Sequence, residues 1–286
     1  MATTIAEPAA LTLRRPPLPR FAGAVLTLAA RRAALTARNP RQIAVPLLTP
    51  ILFATVIAPA LHTALGGLRS SLDYTAYVSV GTVGLLVPFT AVFAGLSVIV
   101  DRESGAQREL LAAPVPRPLL VIANLVVVLG LAALQVAALV GVAALRGAEF
   151  DVSATGVVWF AAAAVAFTAL MYGLAETLAS RIARQEEYVA ATPALAVLPW
   201  FFAGALFPIG ALPAGLTAFA KVLPLTHAMA LMRYGLIDRS GGGLHDIWGA
   251  GMSTASAAWL SLAVVLAFAA LLIAVAFRSF ARAALR

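Results

Sequence analysis

From Tyr74 to Val100, from Leu119 to Leu145 and from Ile247 to Phe277, the chain runs without a single charged residue. Each run exceeds the roughly 20 apolar residues that carry a helix across about 30 Å of hydrocarbon. A polypeptide with this much charge-free apolar sequence belongs in a bilayer. The overall makeup agrees: of 286 residues, 62% are hydrophobic and 11% charged, and the mean hydropathy is +0.96. Soluble domains carry about 25% charged residues, so a water-soluble enzyme of this composition is excluded. The net charge of +8 does not mark a nucleic-acid-binding surface, because the basic residues lie between apolar runs instead of forming a patch on a polar chain. With no cysteine, disulfides, thiolate metal sites and cysteine catalysis are excluded.

Six stretches reach spanning length: Gln42 to Leu65, Tyr74 to Val100, Leu119 to Leu145, Gly156 to Ala179, Tyr188 to Ile209, and Ile247 to Phe277. Positive charges accumulate in cytoplasmic loops. With the N-terminus inside, fifteen of the 20 basic residues fall on inner segments. Only Arg69, Arg146, Lys221, Arg233 and Arg239 fall outside. Both termini are therefore expected in the cytoplasm. Residues 1–19 are polar and Pro-rich without an apolar core, which reads as a flexible cytoplasmic tail and not as a cleavable signal. Residues 20–41 are too charged to span. Phe21, Val25, Leu28 and Leu35 fall on one helical stripe with Arg32 inside it, as in an amphipathic helix lying at the interface. Residues 42–286 then form an all-α membrane domain with a cytoplasmic loop at 101–118. Residues 210–237, interrupted by Pro213, Lys221, Pro224, His227 and Arg233, read as an outer re-entrant hairpin.

The inventory of catalytic motifs is empty: there is no H-E-x-x-H, no G-x-S-x-G and no carboxylate pair within a span. His62, His227 and His245 are too far apart in sequence to predict a metal site, and none is expected. A P-loop needs a lysine beside the phosphates, yet the only lysine, Lys221, is followed by valine. ATP, if used, binds another subunit. Glu176 is the one acidic residue inside a span. It is either a functional intramembrane carboxylate or a group near the interface paired with Arg181. Phe89 and Phe93 in span two, and Phe201, Phe202 and Phe207 in span five, either line an apolar substrate path or face lipid. Prolines in spans one, two and five (Pro46, Pro50, Pro59, Pro88, Pro193, Pro199 and Pro208) mark places where helices bend.

The densest polar signal is the connection between spans two and three, Asp101-Arg102-Glu103-Ser104-Gly105-Ala106-Gln107-Arg108-Glu109-Leu110-Leu111 followed by Pro114 and Arg117. Charges of both signs around Leu110 and Leu111 describe either a short amphipathic docking helix ended by Pro114 or a solvated loop. This D-R-E-x-G-x-x-R-x-L-x-x-x-P-V-x-R run resembles the signature loop of the membrane permeases of type-2 ABC exporters, which carry drugs, lipids and polysaccharides. Arg38-Asn39-Pro40 before span one, the six spans, and Leu212-Pro213, Pro224-Leu225-Thr226 and Arg233 before the last span extend the likeness over nearly the whole chain.

The resemblance implies a bacterial inner-membrane permease without a nucleotide site of its own. Two copies of a cytoplasmic ATPase would hold the ATP and Mg, and a second permease copy or homologue would complete the transporter. Residues 20–38 would be the connecting helix and 101–114 the coupling helix. Asp101, Arg102, Glu103, Gly105, Arg108, Leu110, Leu111, Pro114, Arg117 and Arg32 would then carry ATPase coupling, with Arg32 pairing with Glu103 or Glu109. Two other classes stay open. An ion- or proton-coupled transporter would depend on Glu176, and a membrane-embedded enzyme would depend on the close acidic pair Asp101 and Glu103.

Overall fold

The computed structural model describes residues 21–57, 59–60, 73–112 and 115–283. The 1–19 tail, the end of the first predicted span, His62, Arg69 and Pro114 lie outside the described residues. Within them the chain is helical, with no strand.

Helix α1 runs Phe21–Ala37 and α2 runs Arg41–Leu52, passing into a π-helical turn at Phe53–Ile57. Pro46 and Pro50 lie inside α2. Each removes an amide donor from the ladder, and the wide turn follows directly. The long α3, Tyr74–Glu103, starts where Asp73 accepts the Thr75 amide at 2.8 Å and tolerates Pro88 in its middle. It ends at Gly105, whose φ of +82° is a left-handed conformation that glycine alone adopts freely. The short α4, Ala106–Ala112, follows, then α5, Pro118–Leu145, with proline at its first position. Ser153 caps α6, Ala154–Ala179, by accepting the Gly156 amide at 3.0 Å.

Beyond α6 the elements shorten: α7 Gln185–Ala190, α8 Thr192–Phe202, α9 Ala214–Val222, α10 Pro224–Leu236 and α11 Gly242–Trp248, before α12 Thr254–Ala283. Helices α3, α5, α6 and α12 are long and apolar enough to cross a membrane, and α9 with α10, bent by 82° between them, makes a fifth if counted as one span. Two boundaries differ from the sequence expectation. The stretch Tyr188 to Ile209 is split at Ala191 and stops being helical at Phe202, because Gly204 takes a φ of +78°. The last long helix starts at Thr254 and not Ile247, because Gly249 at φ +91° ends α11.

Helix α3 is the interior element: 67% of its most apolar window is buried, against 28% for α5 and for α12, whose outer faces expose Leu134, Trp259 and Leu271. Apolar side chains without protein neighbours are what a helix facing lipid presents. Two close approaches bind α6 into the bundle. A Cβ on Gly156 would stand 2.1 Å from the Gly235 carbonyl oxygen on α10, and one on Gly173 would stand 2.8 Å from backbone atoms of α12. Small residues at such crossings let helix backbones pack where apolar burial alone gives no drive in lipid.

Candidate functional site

At the end of the bundle where α3 finishes and α5 begins, Arg32 reaches in from α1. Its Nη2 pairs with Asp101 on α3, and its Nε donates to Asn124 Oδ1 on α5 at 3.0 Å. Both members of the ion pair are largely shielded, with 13% and 15% of their side chains exposed. One guanidinium therefore fastens three helices. The expected partners Glu103 and Glu109 are not used, and both are exposed. Since α3 continues through Glu103, the two-residue step from Asp101 rotates Glu103 about 200° around the helix, away from α1. The packed face of α1 is also turned from the expected stripe. Ala24, Val25, Leu28, Ala29 and Arg32 face the bundle, while Phe21 is 66% exposed. Alanines at 24 and 29 allow the close approach that brings Arg32 within reach of Asp101.

The remaining loop residues divide by direction. Arg102 turns inward and caps the end of α6, donating to the carbonyls of Ala179 at 3.0 Å, Ile182 at 2.7 Å and Ala183 at 3.1 Å. Ala179 is the last residue of α6, whose carbonyl a helix end leaves without a partner, and Ile182 and Ala183 lie in the chain just beyond it. Leu110 and Leu111, expected as an apolar spot presented outward, instead pack beside Leu28 on the buried cluster of Leu120, Val121 and Phe280. Asp101, Arg102 and Glu103 belong to the end of α3, and the separate helix begins only at Ala106. What this end shows to solvent is polar: Glu103, Ser104, Arg108 and Glu109 are exposed, and Arg117 is partly so.

Glu176 on α6 is fully buried, and among the described residues neither of its carboxyl oxygens has a hydrogen-bond partner. The expected pairing with Arg181 is absent, since Arg181 is exposed. The aromatic set is not brought together. Phe93 lines a cleft with Asn124 and Arg32, Phe202 packs edge-on to Phe219 at 5.7 Å, and Phe201 and Phe207 are 47% and 40% exposed. Phe89 packs on the main core. Among the described residues no ring contact joins Phe89 or Phe93 to the other three.

Several polar groups that matter were not anticipated. In mid-bundle Gln135 accepts from Thr90 at 2.6 Å and donates to the Ile43 carbonyl at 2.9 Å, joining α5, α3 and α2. Asn124 and Gln135 stand alone in an otherwise apolar run, and that isolation was the available signal. At the opposite end, Arg233 on α10 lies 3.5 Å over the Tyr77 ring and donates to the carbonyls of Gly204 and Ala205, each at 2.8 Å. Tyr77 and Tyr74 donate to Gly204 and Leu206, both at 3.1 Å. The non-helical backbone after α8 thus has its carbonyls satisfied by side chains, the condition for irregular chain at membrane depth. Close by, His227 Nε2 meets the Lys221 carbonyl at 2.9 Å, and its Nδ1 meets Ser261 Oγ at 3.2 Å. Among the described residues no group of histidines and carboxylates is placed to hold a metal ion.

These features define a multi-pass helical membrane protein in which a few charged side chains, Arg32, Asp101, Arg102 and Arg233, fasten helices to one another. A family model described as ABC-2 type transporter matches residues 23–237, most of the chain, from α1 through α10. The chain belongs to that family and is the permease component of an ABC transporter, which implies a separate ATP-binding subunit as its partner. No curated protein matches the sequence.

Proposed function

We propose that this permease works as half of an ATP-driven exporter in the bacterial inner membrane, moving a hydrophobic or amphiphilic substrate (a drug, a lipid or a lipid-linked glycan) outward by alternating access. The reading includes six spans with both termini inside. The first crosses through α2 and the π-turn, and the fifth through α7 and α8. The bent pair α9 and α10 is the outer hairpin. Two ATPase subunits and a second permease copy complete the assembly.

One observation carries the coupling step: Arg32 joins α1 to α3 and α5 at the end where α3 presents Glu103, and α4 presents Arg108 and Glu109, to solvent. A displacement of α4 or α1 by a docked ATPase passes into the long helices through that junction, since only contacts that differ between two states shift their equilibrium. The exposed charges are docking groups. The inward residues Asp101, Arg102, Leu110 and Leu111 act as the rigid mount, and Gly105 supplies the corner. The exposed rings of Phe201 and Phe207 are the remaining candidates for a substrate path or for a seam with the second permease.

The test is ATPase activity of the complex purified after coexpression with its ATPase. With Glu103→Lys and Glu109→Lys together, the ATPase should dissociate while the permease stays folded. Full retention of partner and activity overturns the coupling assignment.

A second reading, proton- or ion-coupled transport, draws support from Glu176, because a buried carboxyl without a hydrogen-bond partner is costly to keep unless it is used. Flux that persists without ATP, follows a proton gradient and disappears in Glu176→Gln would establish it. Flux that needs ATP and survives Glu176→Gln would dismiss it.

A further inference from the structure

Glu176 lies one turn from the end of α6, and the hydroxyls around it are engaged elsewhere. Tyr172 donates to the Val121 carbonyl at 2.9 Å, Thr177 to the Gly173 carbonyl at 2.7 Å, and Ser180 to the main-chain carbonyl of Glu176 itself at 2.9 Å. Neither oxygen of the buried carboxyl receives a bond among the described residues. Burying an unpartnered carboxylate costs far more than burying the neutral acid, so this packing admits Glu176 only with its proton on.

Tyr188 seals the carboxyl from one side. It is the buried residue of α7, and its ring packs among Val92, Val98 and Ile99 of α3 and Ala179 of α6. Its hydroxyl lies against Gly95, where a Cβ would stand 2.9 Å from Tyr188 Cζ. The hydroxyl makes only a long bond, 3.4 Å, to the carbonyl of Ala175, the residue before Glu176. The rest of α7 faces outward, with Gln185, Glu186, Glu187, Val189 and Ala190 exposed. The helix is six residues long and parts from α8 at Ala191, ahead of Pro193. So short an element, seated by one ring, opens locally at low cost.

No free cation stands ready to receive the charge of an ionised Glu176. Tyr172 on α6, Arg32 on α1 and Tyr188 on α7 act on it electrostatically, and Arg32 is already paired with Asp101 of α3. Arg102 of α3 spends its donors on the carbonyls of Ala179, Ile182 and Ala183, and Glu103 is exposed. Helix α5 has no ionisable residue, those of α12, Arg278 and Arg282, are exposed, and those of α10 lie at the opposite end of the bundle.

We propose that Glu176 and Tyr188 form a proton-operated latch. Helix α7 stays seated while Glu176 is the neutral acid. When Tyr188 withdraws, water reaches the carboxyl, its O–H bond breaks, the proton passes to water and a carboxylate remains. The latch goes beyond both transport readings and needs neither ATP nor a proton gradient, so its failure leaves the exporter reading untouched. Since the seated state keeps a proton that a wetted glutamate gives up above about pH 4.3, rising pH favours opening, about tenfold per unit.

The experiment is hydrogen exchange of the full chain in phosphatidylcholine nanodiscs at pH 5, 6 and 7, without ATPase. Exchange over residues 184–191 is normalised at each pH to a free peptide of the same sequence, which removes the chemistry of exchange itself. Protection of α7 in the wild type should fall about tenfold from pH 5 to 6 and again from 6 to 7. Glu176→Gln, which mimics the neutral acid, should hold α7 seated at all three values. Glu186→Gln and Glu187→Gln, which remove the exposed carboxylates of α7 itself, should leave the fall in place. Gly95→Ala should drive Tyr188 out, giving low protection of α7 at every pH with α12 unchanged.

Protection in the wild type that does not change with pH would overturn the proposal, and that readout needs no variant to fold. A fall that persists in Glu176→Gln, or that disappears in Glu186→Gln or Glu187→Gln, would assign the proton to another group and overturn it too. Full protection of α7 in Gly95→Ala would show that Tyr188 does not seat the helix.

Discussion

Removing Asp101 tests whether the Arg32 junction holds α1 to the membrane bundle. Exposed ion pairs contribute about 0.2–1 kcal/mol, and breaking a fully buried pair costs about 3–5 kcal/mol. This pair, exposed by only 13% and 15%, lies between those limits, and Asn124 still accepts from Arg32 after the carboxylate is gone. Asp101→Ala should therefore cost about 2 kcal/mol of α1 docking, a roughly thirtyfold rise in its undocked population at 1.36 kcal/mol per factor of ten. Asp101→Asn, which keeps a hydrogen-bond acceptor, should cost about half as much. The main core cluster contains no residue of α1, so the loss is local.

Hydrogen exchange of the full chain in nanodiscs reads this directly. Amides of α1 should exchange about thirtyfold faster, with α6 and α12 unchanged. The exchanged pair Arg32→Asp with Asp101→Arg should recover much of the loss, a coupling of at least 1 kcal/mol. Effects of the two single changes that add within about 0.5 kcal/mol would mean that the residues do not act as a pair. Unchanged exchange in α1 would show that apolar packing by Ala24, Leu28 and Ala29 holds the helix without the junction.

Other outcomes follow from the same geometry. Gly105→Ala forces an L-residue to a φ of +82° with open space around the Cβ, so the cost is purely conformational, about 1–2 kcal/mol. It should uncouple partner ATPase activity from transport and lower the unfolding temperature of the permease by only a few degrees. Gly156→Ala drives a methyl to 2.1 Å from the Gly235 carbonyl and must part α6 from α10. Overpacking of this kind costs about 1–3 kcal/mol, visible as a lower unfolding temperature in detergent. Asp246, on α11 outside the spans, has its carboxyl raised above the usual value, mainly by burial and further by the Asp238 charge, with Lys221 and His245 opposing. A raised folded-state value means a contribution to stability that is present in acid and lost as pH climbs through that value. Asp246→Asn should therefore flatten the fall in stability on that rise, and an unchanged slope would rule Asp246 out as its source.

The membrane class, the long helices and the absence of a nucleotide site were legible in the sequence because they rest on local properties. A charge-free run from Leu119 to Leu145 is apolar whatever surrounds it, and a chain whose only lysine precedes Val222 lacks a P-loop in any fold. Helix ends were less legible. Gly204 permits the left-handed turn that ends the helix at Phe202 but does not demand it. Arg233, on a different helix, and Tyr77 bind the carbonyls that follow and hold the chain in that turn. The partner of Arg32 was misread for a related reason. Local spacing places Asp101, Glu103 and Glu109 within one short charged segment, but which of them meets α1 depends on how α3 is rotated about its axis, and packing against α5 and α6 sets that rotation. The sequence alone determined what must be buried in lipid and what chemistry is impossible, because composition and hydropathy are summed residue by residue. Tertiary structure decided which polar groups are fastened together and which, like Glu176 and Gln107, are left without partners, because those pairings join residues far apart in the chain and exist only once the helices have packed.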